Sequence, residues 1–332
     1  MGTAIIGTGS YLPDSVLTSK ELGGRLGVGE QWILDKTRIA ERRVAGPTEA
    51  TSDLAAHAAR RALRAAGLTS AEVDLLIVAT STPDQPMPAT ACAVQGAIGA
   101  DHAAAFDVDA VCSGFLYALA AAHGMLVADP TARTALVIGA DTYSRILDYT
   151  DRRTCVLFGD GAGAVVLTKT PGPGVLATTL GSDGRLNHLV EVPAGGSRTP
   201  ASPDTLDAGQ HYFAMRGREV RDLAARVLPE VVAEVLKAAA VELPDVDLLV
   251  PHQANGVMLE DLADTLGLRP GQLHLTVSRY GNTGAASVPI TLDDAVRSGR
   301  LHTDDTVLLA GFGGGMTWGG AVLRWAGQGV PR

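Results

Sequence analysis

Val73-Asp74-Leu75-Leu76-Ile77-Val78 returns as Val246-Asp247-Leu248-Leu249-Val250, an offset of 173 residues. Thr134-Ala135-Leu136-Val137-Ile138-Gly139 returns as Thr306-Val307-Leu308-Leu309-Ala310-Gly311, offset by 172. After each second match comes a Phe-Gly turn, Phe158-Gly159-Asp160-Gly161-Ala162-Gly163 in one half and Phe312-Gly313-Gly314-Gly315 in the other. A period held across different segments marks an internal duplication. Within each copy, short apolar runs of Val, Ile and Leu alternate with Ala-rich segments at helical spacing, such as Leu54 to Ala66 and Val220 to Ala240. That alternation predicts an α/β fold with mainly parallel strands buried on both faces. The Pro- and Gly-rich stretch Thr170 to Gly174 predicts a junction between two halves, 1–170 and 175–332. Two such halves share a pseudo-twofold axis and place a site where their loops meet. A mobile loop is expected from Ala194 to Gln210, where Gly, Ser, Pro and Asp dominate.

The chain has 332 residues, 46% of them hydrophobic, which is ample for a large core. Its net charge of −9 argues against a nucleic-acid surface, so anionic ligands need a local basic mouth. Cys92, Cys112 and Cys155 are too few and too scattered for a disulfide framework or a Cys-x-x-Cys pair, and no metal site is legible. The start, Met1-Gly2-Thr3-Ala4-Ile5-Ile6, has no signal-peptide or myristoylation pattern and reads as a first strand. The longest apolar stretch, Phe115 to Ala128, is interrupted by His123 and Gly124 and is short for a bilayer span. These features predict a soluble, cytoplasmic protein with no membrane partner.

Cys112 sits in Asp109-Ala110-Val111-Cys112-Ser113-Gly114-Phe115, where an apolar strand-like run turns into a long Ala/Leu-rich helical segment. A thiol at a helix N-terminus is expected to gain thiolate character, and the free N–H groups there suit an oxyanion. His252, in Pro251-His252-Gln253-Ala254-Asn255, emerges from the end of the strand that closes at Val250. Asn282, in Gly281-Asn282-Thr283-Gly284-Ala285-Ala286-Ser287, lies 170 residues after Cys112 and opens another Ala-rich segment, so the duplication brings the two loops together. Taken singly, Cys112 and His252 also have structural readings: a small buried hydrophobe and a satisfied core histidine.

These motifs together resemble β-ketoacyl-acyl carrier protein synthase III of the thiolase superfamily. The resemblance rests on Ala110-Val111-Cys112-Ser113-Gly114-Phe115, Pro251-His252-Gln253-Ala254-Asn255, Gly281 to Ser287 and Gly313-Gly314-Gly315-Met316-Thr317-Trp318-Gly319, and it runs the length of the chain. It implies a thiolase fold, a duplicated five-layered αβαβα arrangement, and a homodimer. It further implies that Cys112 takes an acyl group from acyl-CoA, with the N–H groups of Cys112 and Gly314 as oxyanion hole. His252 and Asn282 then donate hydrogen bonds to a malonyl thioester as it loses carbon dioxide and attacks, giving a β-ketoacyl thioester. The amide of Asn282 favours this over plain acyl transfer, because a carboxylate there would accept a proton. Trp32, Lys36 and Arg152 are implied as CoA contacts and Met87 as the residue that closes the acyl pocket across the dimer, where an adaptable Met suits a longer or branched primer. Acyl-CoA is a substrate, and no cofactor is implied.

The departures lie on the carrier-docking surface. Basic residues usual in the family are replaced by Val257, Asp264, Thr265 and Asp222, while Lys36 replaces an arginine and Arg38 a glycine. Arg216, Arg218 and Arg221 remain as sources of positive potential. The acceptor is therefore open between a malonyl-carrier protein, malonyl-CoA and, as an acyltransferase, a small-molecule hydroxyl or amine. Secondary metabolism becomes a possible setting. A dinucleotide oxidoreductase is disfavoured because Gly7-Thr8-Gly9 and Gly159 to Gly163 complete no Gly-x-Gly-x-x-Gly turn, and a serine hydrolase lacks its Gly-x-Ser-x-Gly elbow. An inactive subunit would be expected to have lost the nucleophile.

Overall fold

A computed structural model describes residues 2–172 and 174–328. Two mixed sheets carry the duplication. The first runs Gly2–Tyr11, Gly161–Thr170, Thr134–Asp141, Leu75–Ala79, Ala104–Val108 in spatial order, and the second runs Val175–Ser182, Thr317–Arg324, Thr306–Gly313, Leu248–Pro251 in the corresponding order. Where the first sheet has Ala104–Val108, the second has, among the described residues, only a parallel bridge between Leu249 and Leu273.

The strands are less parallel than the sequence suggests. Thr134–Asp141, Leu75–Ala79 and Ala104–Val108 pair in parallel, as do Leu248–Pro251 and Thr306–Gly313, but the four remaining ladders of these sheets are antiparallel. A strand covered by helices on both faces reads as a continuous apolar run whatever the direction of its neighbour. Direction is set by the connections: Gly314 to Met316 alone joins Thr306–Gly313 to Thr317–Arg324, which forces a hairpin.

Alternation along single strands sorts side chains into layers. Leu75, Ile77 and Ala79 face the central layer while Leu76 and Val78 face outward. In the second sheet Val307 and Leu309 face the centre, and Leu308, Ala310 and Phe312 face outward. The central layer is filled by the helices Gly114–Ala128 and Ser287–Arg297, the outer layers by Thr51–Ala66 on one side and Gly217–Ala239 on the other. This is the five-layered αβαβα arrangement. Gly114–Ala128 is apolar enough for a membrane by composition, yet Phe115, Leu116, Leu119 and Ala122 are buried between the sheets. Each such leucine or phenylalanine contributes about 1.5–3 kcal/mol by leaving water.

The segment from Ala194 to Gln210 holds a short helix, Pro203–Asp207, capped by Ser202 and closed by the Ala194 N–H donating to the Gln210 carbonyl at 2.9 Å. The strand Gly161–Thr170 ends and Val175–Ser182 begins on either side of the Pro- and Gly-rich stretch.

Candidate active site

The turn Val111–Ser113 and the helix Gly114–Ala128 recur as Gly284–Ala286 and Ser287–Arg297, so the structural register is 173 residues. By that register Ala285 is the counterpart of Cys112, and Asn282 that of Asp109. Val111 takes φ +48, a left-handed conformation costly for a β-branched residue, and it turns the chain into the helix just before the thiol. Gly313 lies against this turn: a Cβ there would stand 2.7 Å from the Cys112 nitrogen and 2.8 Å from the Ala110 carbonyl oxygen, so only glycine fits. Ser113 Oγ and Thr317 Oγ1, 2.8 Å apart, tie the turn to the hairpin that carries Gly314.

His252 leaves the strand Leu248–Pro251 with its N–H donating to the Ala310 carbonyl at 2.8 Å. Its Nδ1 is 2.6 Å from Ser287 Oγ, and Phe312 meets the imidazole edge-on at 5.7 Å between centroids. Gln253 braces the next residue by donating to the Pro251 carbonyl and accepting from the N–H groups of Thr276 and Val277. Asn282 is anchored by its own N–H to the Leu157 carbonyl and by its carbonyl to the Gly159 N–H, both at 2.9 Å. Its Oδ1 accepts the Gly284 N–H at 2.9 Å. Because that N–H can only donate, the amide oxygen is fixed there and the NH₂ end is the one available to a ligand.

Cys112, His252, Asn282, Gly314, Trp32, Lys36 and Arg152 all line one cavity of about 320 Å³. Arg152 lies over the Trp32 ring, its guanidinium carbon 5.5 Å from the centroid. Asn255 caps the helix Gly256–Leu266 through the Val257 N–H and donates to the Lys36 carbonyl at 3.0 Å, which fixes this part of the mouth. Met87 is not brought to the cavity within the chain; it is 79% exposed in the turn before the helix Thr90–Ile98.

The electrostatics correct one expectation. Cys112 does stand at a helix start, but burial pushes its thiol up to about 12, the Asp141 carboxylate acts in the same direction, and Tyr143 acts against both. Desolvation and a buried like charge outweigh the helix end, so the resting group is the thiol. Burial also pushes His252 down to about 3, which leaves a neutral imidazole. Asp141 itself is raised to about 6 by burial.

Two arginines near the mouth are charge-paired. Arg221 meets Asp261 at 2.9 Å and Arg38 meets Glu260 at 3.0 Å, while Asp222 and Asp264 are exposed nearby. Arg38 holds φ +59 at the C-terminus of the helix Glu30–Thr37, the left-handed cap position that glycine fills most easily.

Sequence reading gave no role to Ser287, Gln253, Tyr143 or Asp141. Ser287 closes the quoted glycine-rich motif and could have been found from its place at the start of the second central helix. Gln253 sits inside the quoted histidine motif, whereas Tyr143 and Asp141 show no signal until the strands are packed.

Comparison with known proteins fits this arrangement. Residues 106–184 match the family model for 3-oxoacyl-[acyl-carrier-protein] synthase III, and residues 236–325 match that for its C-terminal region. The chain is 52% identical over 324 residues to acetoacetyl CoA synthase NphT7 of Streptomyces sp. (strain CL190), covering 97% of this chain and 98% of that protein. It is 46% identical over 331 residues to a β-ketoacyl-[acyl-carrier-protein] synthase III of Desulfitobacterium hafniense, covering 99% and 100%. The crystal structure of 3-oxoacyl-[acyl-carrier-protein] synthase III from Aquifex aeolicus superimposes with a TM-score of 0.90 at 42% identity, over 98% of this chain and 100% of that one. At this identity and coverage, the chain belongs to the 3-oxoacyl-[acyl-carrier-protein] synthase III family.

Proposed function

We propose that the protein is a condensing enzyme that joins an acyl group from acyl-CoA to a malonyl thioester. The observation that carries this reading is the convergence of a thiol, a neutral imidazole and the NH₂ end of an amide on one cavity. In the first half-reaction the Cys112 sulfur attacks the thioester carbonyl, and the CoA thiol departs with the proton that Cys112 gives up. The N–H groups of Cys112 and Gly314 take the oxyanion, each such donor being worth roughly 3 kcal/mol. In the second, the bond to the malonyl carboxylate breaks and its electron pair enters an enolate whose oxygen is held by His252 Nε2–H and Asn282 Nδ2–H. With carbon dioxide released, the carbanion then forms the carbon–carbon bond, and the Cys112 sulfur leaves and takes a proton from water. Transfer to a hydroxyl or amine is less well supported: such an acceptor needs a base, and a histidine near 3 is a poor one at neutral pH.

Malonyl-CoA is the acceptor this surface suits. Arg221 and Arg38 are neutralised by Asp261 and Glu260, leaving a weak field for an acidic carrier protein, whereas Trp32, Lys36 and Arg152 stay at the cavity. A relative of high identity carrying the name acetoacetyl CoA synthase supports the same choice. A homodimer is part of the proposal, since only a second copy brings an exposed Met87 to an acyl pocket.

Intact-protein mass spectrometry after incubation with acyl-CoAs tests the assignment, with Cys112→Ala as control. We expect an acyl adduct that malonyl-CoA removes. An adduct cleared only by an alcohol or amine would replace the reading with an acyltransferase, and no adduct with any donor would refute it.

A further inference from the structure

Three glycines in a row, Gly313-Gly314-Gly315, lead into and form the turn that carries the Gly314 N–H. No side chain limits rotation about their backbone bonds, so the direction of that N–H needs a hold from outside the turn. One end is held by Gly313, which pairs with Thr317 in the hairpin ladder and packs on the Cys112 nitrogen too closely to admit a Cβ. The other end is held by the Thr317 side chain, whose Oγ1 donates to the Gly314 carbonyl at 2.9 Å. The same Oγ1 is 3.0 Å from the Ala110 carbonyl oxygen and 2.8 Å from Ser113 Oγ, both at the turn that carries the Cys112 N–H. Ser113 is fully buried, with its Oγ 2.9 Å from the Ala110 carbonyl oxygen. Two hydroxyl protons must serve these contacts, and hydroxyl oxygens 2.8 Å apart need a proton between them. Every acceptor gains a donor when Ser113 O–H donates to Thr317 Oγ1 and Thr317 O–H donates to the Gly314 carbonyl, with the Ala110 carbonyl taking the Ser113 N–H at 3.2 Å. One threonine hydroxyl thus joins the two loops that carry the Cys112 and Gly314 N–H groups, across 204 residues of chain and from opposite halves of the duplication.

We propose that Thr317 is a positioning residue for the oxyanion hole, its hydroxyl, braced by Ser113, aiming the Gly314 N–H at the oxygen that the Cys112 N–H also binds. The inference rests on Cys112 being the acylated residue and on these two N–H groups being its oxyanion donors. Only the hydroxyl of Thr317 reaches Gly314, Ala110 and Ser113, so serine can take its place and valine cannot. Two reactions at the same sulfur separate this role from general support of the turn. Acylation by acetyl-CoA builds negative charge on a carbonyl oxygen, which the hole stabilises. Alkylation by iodoacetamide is a displacement at a saturated carbon and depends on the thiolate, with no oxyanion to hold.

The test compares the two rates in Thr317→Val, which keeps the shape of the side chain and removes the hydroxyl. Loss of a whole oxyanion donor costs about 100- to 1000-fold, and a donor that is present but misdirected costs less, so acylation should slow by about 10- to 100-fold. Alkylation, followed at the Cys112 peptide because Cys92 is exposed, should stay within about twofold of wild type. Thr317→Ser should bring acylation back to within about threefold. Wild-type acylation in Thr317→Val overturns the inference, as does an equal fall in acylation and alkylation, which marks a disturbed turn. Failure of Thr317→Ser to restore acylation overturns it too. If Thr317→Val does not fold, Ser113→Ala decides by the same comparison: acylation slowed by about 3- to 10-fold with alkylation unchanged sustains the inference, and an unchanged ratio of the two rates overturns it. Failure of acetyl-CoA and other acyl-CoAs to modify wild-type Cys112 would instead overturn the proposed function, and the inference with it.

Discussion

His252 and Ser287 are joined by a 2.6 Å contact between Nδ1 and Oγ, and this contact decides what the imidazole offers the cavity. A serine proton given to Nδ1 leaves Nε2 protonated and able to donate to an enolate oxygen. Ser287 also accepts the Gln253 N–H at 3.3 Å, which fixes its oxygen. We expect Ser287→Ala to slow malonyl decarboxylation by about 10-fold, the scale of one hydrogen bond, with acylation of Cys112 little changed. Separate burst measurements of the two half-reactions check this.

Asn282→Asp keeps the shape of the side chain and exchanges a donor for an acceptor. Condensation should fall by about 100- to 1000-fold, the loss typical of an oxyanion donor, while the acyl adduct on Cys112 still forms. Accumulation of the acyl-enzyme in the mass spectrum, with malonyl-CoA present, is the expected signature.

The thiol raised to about 12 carries its own pH signature. Because the thiolate fraction grows as pH approaches that value, Cys112 alkylation should climb about tenfold per pH unit through the range of about 6 to 9, with no plateau. A plateau near neutral pH would show a thiolate already formed at rest.

Charge pairing at the mouth can be undone. Asp261→Ala frees Arg221, and the association rate with an acidic carrier protein should rise a few-fold at low salt and return toward the wild-type value at high salt. The KM for malonyl-CoA should stay within about twofold, because surface pairs of this kind contribute little individually. Stopped-flow binding at two ionic strengths measures both.

Much of this is legible in the amino-acid sequence. The repeats at Val73 and Val246 gave the two sheets, and the cysteine, histidine and asparagine motifs gave the residues that line the cavity. Strand direction was not legible, because an apolar run covered on both faces looks alike in either orientation. The state of Cys112 is hidden for a related reason: a helix start can be seen in sequence, but the burial of the thiol and the approach of Asp141 arise only when strands from 75–79 and 134–141 lie side by side. Tyr143 and Asp141 carry no motif, and where they lie is settled only in the packed sheet.

The most direct measurement is the carbon dioxide released per acyl group cleared from Cys112, followed with carboxyl-labelled malonyl-CoA on pre-acylated enzyme. A condensing enzyme should release one molecule for each acyl group lost, with the β-ketoacyl thioester appearing in equal amount. Clearance of the acyl group without carbon dioxide would contradict decarboxylative condensation at this site.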